Sequence, residues 1–262
     1  MTPAKAHWAE YGMETAGLAC FMVSALGFTS LLEHPASPVR EAIANSLVRR
    51  ALTGLAMGLT AAAIIYSPWG RRSGAHLNPS VTLSYLRLGR ISRRDATFYV
   101  LAQFAGATLG VAFAAMGMQE IVSTPTVNYV ATVPGRFGGA AAFGAEAAIS
   151  FLMMWTILHV SNSPRLARLT GVLAAGLIAI YITLEAPISG MSMNPARSLA
   201  PALAAGALAP LWIYFTAPPA GMMLAAELYA RRNGRHAVRC AKLHHPSRGY
   251  CHFGCGSAGG LS

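Results

Sequence analysis

Ser73-Gly-Ala-His-Leu-Asn78-Pro79-Ser80-Val-Thr-Leu83 and Ser189-Gly-Met-Ser-Met-Asn194-Pro195-Ala196-Arg197-Ser-Leu199 repeat one pattern in the two halves of the chain. Each runs from Ser-Gly through three residues to Asn-Pro. That dipeptide reads as a helix start, because asparagine caps exposed N–H groups and proline tolerates the first helical position. The moderately apolar run that follows each box is too short to cross a bilayer, so such a helix dips in and stops. Irregular backbone at that depth survives only where protein buries it or where it lines a wet cavity.

Around the two boxes lie six apolar stretches, at residues 16–32, 47–66, 98–118, 143–160, 170–185 and 208–228. Each can bridge a hydrocarbon core of about 30 Å as a helix. Of the 262 residues 54% are apolar and only 11% charged, which excludes a disordered chain and an ordinary water-soluble globule. Small residues recur inside the stretches, as in Leu55-Ala-Met-Gly-Leu-Thr-Ala-Ala-Ala63 and Ala105-Gly-Ala-Thr-Leu-Gly110, and let helix backbones approach closely in lipid. The first stretch follows Glu10 and Glu14 and lacks a strongly basic leader, so it reads as retained rather than cleaved. The expected fold class is an all-α polytopic membrane protein of six transmembrane helices plus two re-entrant half-helices.

The first box follows the second stretch and the second box follows the fifth. Each is therefore the second loop of a three-span unit, at about residues 10–118 and 143–229. Three is odd, so the halves enter the membrane in opposite directions and form an inverted repeat. The half-helices then meet near the midplane, with positive dipole ends and two asparagine amides facing whatever passes, which opposes cations.

A net charge of +11 raises the question of nucleic acid. Charge placement answers it: fifteen of the 20 basic residues fall on the side of both termini and five on the other. That asymmetry puts both termini in the cytoplasm, most simply at the plasma membrane, or the inner membrane of a bacterium, and accounts for the basicity without nucleic acid.

The two boxes resemble those of the aquaporin (major intrinsic protein) family. The likeness extends to Glu14 and Glu146 opening spans one and four, Ala102-Gln-Phe-Ala-Gly-Ala107 in span three and Asn194-Pro-Ala-Arg197. It covers roughly residues 14–229, within a channel domain of residues 1–229. The resemblance implies a homotetramer in the lipid bilayer, each subunit with its own hourglass pore. It implies that Asn78 and Asn194 donate to a permeant oxygen, that Arg197 is the fixed cation of the outer constriction, and that Glu14 and Glu146 hold loop backbone. Carbonyls near His76 and Leu77 and near Met191 and Met193 would form the acceptor track, with His76 a loop residue of the inner vestibule.

Counting from the boxes by the family's spacing assigns the constriction to Ile182, Met191, Arg197 and a residue of span two. For that residue the spacing gives Gly58, whereas Met57-Gly58-Leu59 resembles the family's usual aromatic-Gly-Leu and gives Met57; both stay open. Ile182 stands where water-selective members carry histidine, leaving an apolar ring around Arg197. Ser198 and Ala202, where glycerol facilitators typically have an acid and a base, and Tyr214-Phe215 favour the water-channel side of the family. The expectation is passive conduction of water and possible small neutral solutes, with protons and cations excluded. The alternative is a channel mainly for small uncharged solutes such as metalloid acids, hydrogen peroxide or short polyols. A secondary transporter is the remoter reading, since few ionisable groups lie within the spans; no nucleophile, base and orienter recur together as an enzyme would need.

Residues 230–262 form a basic tail containing Cys240, His244, His245, Cys251, His252 and Cys255. Reduced cysteines in the cytoplasm point away from a disulfide. Cys240, His244, Cys251 and Cys255 are a candidate zinc set, the one cofactor considered, against a tail that merely packs or stays mobile.

Overall fold

The structure is a computed structural model that describes residues 7–245, 251–253 and 255. Eight helices carry the architecture: α1 (Trp8–Glu33), α2 (Ser46–Tyr66), the short α3 (Pro79–Arg87), α4 (Arg93–Val122), α5 (Gly138–Ser161), α6 (Thr170–Leu184), the short α7 (Pro195–Ala205) and α8 (Leu211–Asn233). No strand occurs among the described residues.

The helices start where the sequence caps them. Asn45 accepts from the N–H groups of Leu47 and Val48 to open α2. Ser92 accepts from Asp95 N–H at 3.0 Å while its hydroxyl donates to the Asp95 carboxylate at 2.7 Å, a reciprocal cap that opens α4. That cap sets the start of α4 at Arg93, several residues before the apolar stretch expected at 98. Helix α8 starts at Leu211, after Pro210, and runs on to Asn233 through Glu227, Arg231 and Arg232. The segments containing α1, α2, α4, α5 and α6 are each long and apolar enough to cross a membrane. Helix α8 has the length, with 23 residues, and a more polar end.

Packing follows a pseudo-twofold pattern. Helix α1 packs along α4 and α5 along α8, while the middle spans of the two halves, α2 and α6, pack on each other. Each half-helix leans on the other half: α3 on α8 and α7 on α4. This exchange is the inverted repeat in space. Close crossings need glycine. A Cβ on Gly58 would stand 2.5 Å from the carbonyl oxygen of Ala175, and one on Gly54 2.5 Å from that of Ala179, so α2 meets α6 backbone to backbone. Apolar side chains such as Leu55, Leu59, Leu109, Phe113 and Ile180 cover the outside of the bundle, as a lipid-facing surface requires.

Candidate pore

Asn78 is the N-cap of α3 and Asn194 that of α7. The Asn78 side-chain oxygen accepts from Ser80 N–H at 2.8 Å, and that of Asn194 from Ala196 and Arg197 N–H at 3.0 and 3.2 Å. Their amide nitrogens reach across the molecular midplane. Asn78 Nδ2 donates to the carbonyl of Met193 at 2.7 Å, and Asn194 Nδ2 donates to that of Leu77 at 2.8 Å. Each box therefore clasps the residue that precedes the other's asparagine. An amide carries two N–H donors, so the clasp leaves one on each asparagine for a molecule in the cavity both line.

The loops leading to the boxes have an unusual backbone. Ala75, Leu77, Met191 and Met193 all adopt positive φ, between 51° and 55°, while His76 and Ser192, between each pair, do not. The left-handed region costs a non-glycine residue about 1–2 kcal/mol. Two buried carboxylates hold these loops. Glu14 accepts from the Ser73 hydroxyl at 2.8 Å, His76 N–H at 3.1 Å, Leu77 N–H at 2.6 Å and the Gln103 amide at 2.9 Å. Glu146 accepts from the Ser189 hydroxyl, Ser192 N–H and Met193 N–H, each at 2.7 Å. Both glutamates are 0% exposed. Tyr99 and Tyr214 add a matched pair of hydroxyls donating to the carbonyls of Ser73 and Ser189.

A cavity of about 310 Å³ runs past the boxes. On one side of them its wall includes Glu33, Arg50, Thr53, Met57, Ile182, Met191 and Arg197; on the other it includes Ile65, Ala75, His76 and Leu243. Along α2 the lining residues Arg50, Thr53, Met57, Ala61 and Ile65 recur every three or four positions, one helical face. Met57 is on that face and Gly58 is turned toward Ala175. Of the two span-two alternatives, the residue at the cavity wall is Met57, and Gly58 is corrected to a helix-crossing residue.

Arg197 Nη1 donates to the carbonyl of Val130 at 2.8 Å, which fixes the guanidinium at the cavity wall. Glu33, near the same end, is matched by Arg49, whose Nε and Nη2 both lie 3.1 Å from its carboxylate oxygens. Arg50 lines the cavity as well, with Nε 3.4 Å from the carbonyl of Thr183. Two arginines thus face this mouth beside a glutamate already paired, a surplus of positive charge that opposes cation entry. Arg50 and Glu33 were not singled out from the sequence, where Arg50 entered only the tally of basic residues. The period linking Arg50 to Met57 was the signal that could have found Arg50.

At the end of α6, Glu185 is buried on the approach to the second box.

At the far mouth the tail folds back against the bundle. His76 Nε2 donates to the carbonyl of Ala241 at 2.7 Å, and Leu243 N–H donates to that of Gly74 at 3.1 Å. The four side chains gathered in the tail are Cys240, His245, Cys251 and Cys255, so His245 replaces His244 in the candidate metal set. His244 instead lies edge-on to Tyr66, their ring centres 4.9 Å apart. Cys240 Sγ and Cys255 Sγ stand at disulfide contact, with Cys251 Sγ beside them, where the sequence leads one to expect reduced thiols.

The family model for the major intrinsic proteins matches residues 7–229. The chain belongs to the major intrinsic protein family. Within it, the chain is 34% identical to aquaporin NIP1-2 of Arabidopsis thaliana over 184 residues, covering 68% of this chain and 62% of that protein. It is 36% identical to aquaporin NIP1-4 of Oryza sativa subsp. japonica over 67% of this chain and 63% of the relative. A glycerol uptake facilitator protein-like 6 of Lactiplantibacillus plantarum is 37% identical over 66% of this chain and 81% of its own length. The matched region thus spans just under two thirds of the plant relatives. The solved aquaglyceroporin of Plasmodium falciparum has the same fold, with a TM-score of 0.72 over 86% of this chain and 96% of that one, at 18% identity. These major intrinsic proteins include both aquaporins and a glycerol facilitator, and this chain is a membrane protein of their fold.

Proposed function

We propose that this major intrinsic protein is a passive channel for water and other small neutral solutes that excludes protons and cations, and is no enzyme. The observation that carries the reading is the reciprocal asparagine clasp on the wall of a cavity that extends to either side of it. A water passing there meets two fixed amide donors, so it presents its oxygen to them and cannot relay a proton to both neighbours. The arginine surplus at the Arg197 mouth and the dipoles of α3 and α7 add an electrostatic barrier.

A second reading, a channel mainly for small uncharged solutes, is favoured by the wall around Arg197. Met57, Ile182 and Met191 place apolar groups there with a guanidinium, a setting for molecules with both an apolar and a hydroxylated side. The name of the glycerol facilitator relative points the same way. Residues 1–229 are taken as the channel domain and 230–262 as the tail. By resemblance, four copies assemble in the bilayer, one pore each. The bias of basic residues supports a plasma-membrane orientation with both termini and the Leu243 mouth in the cytoplasm.

Liposomes containing the full chain, prepared with thiol reductant and chelator, separate the readings by stopped-flow light scattering. Under an osmotic step with sucrose we expect shrinkage about tenfold faster than in empty liposomes, with no rapid reswelling in glycerol, urea or boric acid. Slow shrinkage with rapid reswelling in one of these solutes would install the second reading and identify the solute.

A further inference from the structure

We propose that Cys240, His245, Cys251 and Cys255 form a zinc site that pins the tail into the pore mouth beside His76, so that metal occupancy throttles the channel. The ligand atoms of these four residues all lie within 4.8 Å of one another. Cys251 Sγ is 2.9 Å from Cys255 Sγ and 3.6 Å from Cys240 Sγ. Three sulfurs and an imidazole nitrogen gathered this closely are a donor set that a single metal ion can bind at once. One zinc ion uses all four: its bonds of about 2.3 Å to sulfur and 2.0 Å to nitrogen set tetrahedral donors within 4 Å of each other, and three thiolates with one imidazole complete a closed shell.

The ligands come from two stretches of tail, so the ion ties them together. The first stretch is already at the mouth. Lys242 is 2% exposed, Ala241 accepts from His76, Leu243 bonds to Gly74, and the Leu243 side chain forms part of the cavity wall. The second stretch brings His252 Nε2 to 2.9 Å from the Tyr99 hydroxyl and stacks Phe253 on the His76 ring, centres 5.8 Å apart. Fixing irregular backbone costs about 1–2 kcal/mol per residue, and a few hydrogen bonds offset only part of that. A metal crosslink supplies the remainder. On the cytoplasmic side thiols are kept reduced, and zinc displaces their protons as it binds.

The throttling half of this proposal rests on the channel reading; the metal half rests on the ligand geometry. The full chain is purified under reductant with added zinc, dialysed, and assayed for metal by mass spectrometry and for flux in liposomes. We expect about one zinc per chain, lost in Cys251→Ser and His245→Ala and retained in His244→Ala. Water permeability should rise about threefold or more on chelation and again in Cys251→Ser without chelator. Substoichiometric zinc under these conditions, or a chain whose only tail chemistry is the Cys240–Cys255 disulfide, overturns the site. Stoichiometric zinc with flux indifferent to chelation overturns the pinning. Absent flux in both metal-loaded and metal-free liposomes would instead count against the channel reading, while the zinc stoichiometry still decides the site.

Discussion

Glu146→Ala should cost the protein its channel activity and about 10 °C of thermal midpoint, the largest stability loss expected of a single residue here. The carboxylate takes a hydroxyl and two backbone N–H groups, all within a fully buried pocket. Removing it strands Ser192 and Met193 N–H away from water, each at about 1–3 kcal/mol. It also releases Met191 and Met193 from the left-handed backbone that the glutamate maintains. Glu146→Gln tests the charge separately. An amide keeps one acceptor oxygen but turns an NH2 toward a backbone donor whichever way it is flipped, so its effect should fall between wild type and alanine. Melting in detergent and stopped-flow shrinkage read the two consequences. A Glu146→Ala protein with wild-type midpoint would mean that the loop holds its shape without the carboxylate.

The second large effect is expected at Ile182. Ile182→Trp should bring water flux down to about the level of empty liposomes, a loss of tenfold or more, while the melting curve stays within about 2 °C of wild type. Ile182 lines the cavity from α6, in a wall that also holds Met57 and Arg197, so added bulk enters the bore. Met57→Trp should behave alike. Gly58→Ala should not: its single methyl meets the Ala175 carbonyl, so the damage shows as lost folded protein. Undiminished flux in a folded Ile182→Trp protein would place the permeation route elsewhere.

These contrasts mark what could be read before any coordinates. The boxes, the inverted halves and the two glutamates were legible because they occur twice, and symmetry removes the ambiguity that a lone Asn-Pro carries. The choice between Met57 and Gly58 was not legible, since one residue turns an α-helix by about 100° and so decides between bore and neighbouring helix. His244 and His245 pose the same difficulty in an irregular segment, where adjacent side chains point apart. The start of α4 lay in Ser92 and Asp95, a cap that a search for apolar runs passes over. The tail's return to the His76 loop has no local signal at all, because its partners are more than a hundred residues away.

The asparagine clasp also bears on how the molecule is made. Each of its two bonds joins residues 115 or more positions apart, across the boundary between the halves. While the first half is threaded into the bilayer alone, Leu77 has no amide to receive and Asn78 has no carbonyl to reach. Its loop must wait, incompletely bonded, until the second box arrives from the opposite face. The last step of maturation is then a mutual templating, in which either half sets the other's central turn and a chain lacking one box would lack both.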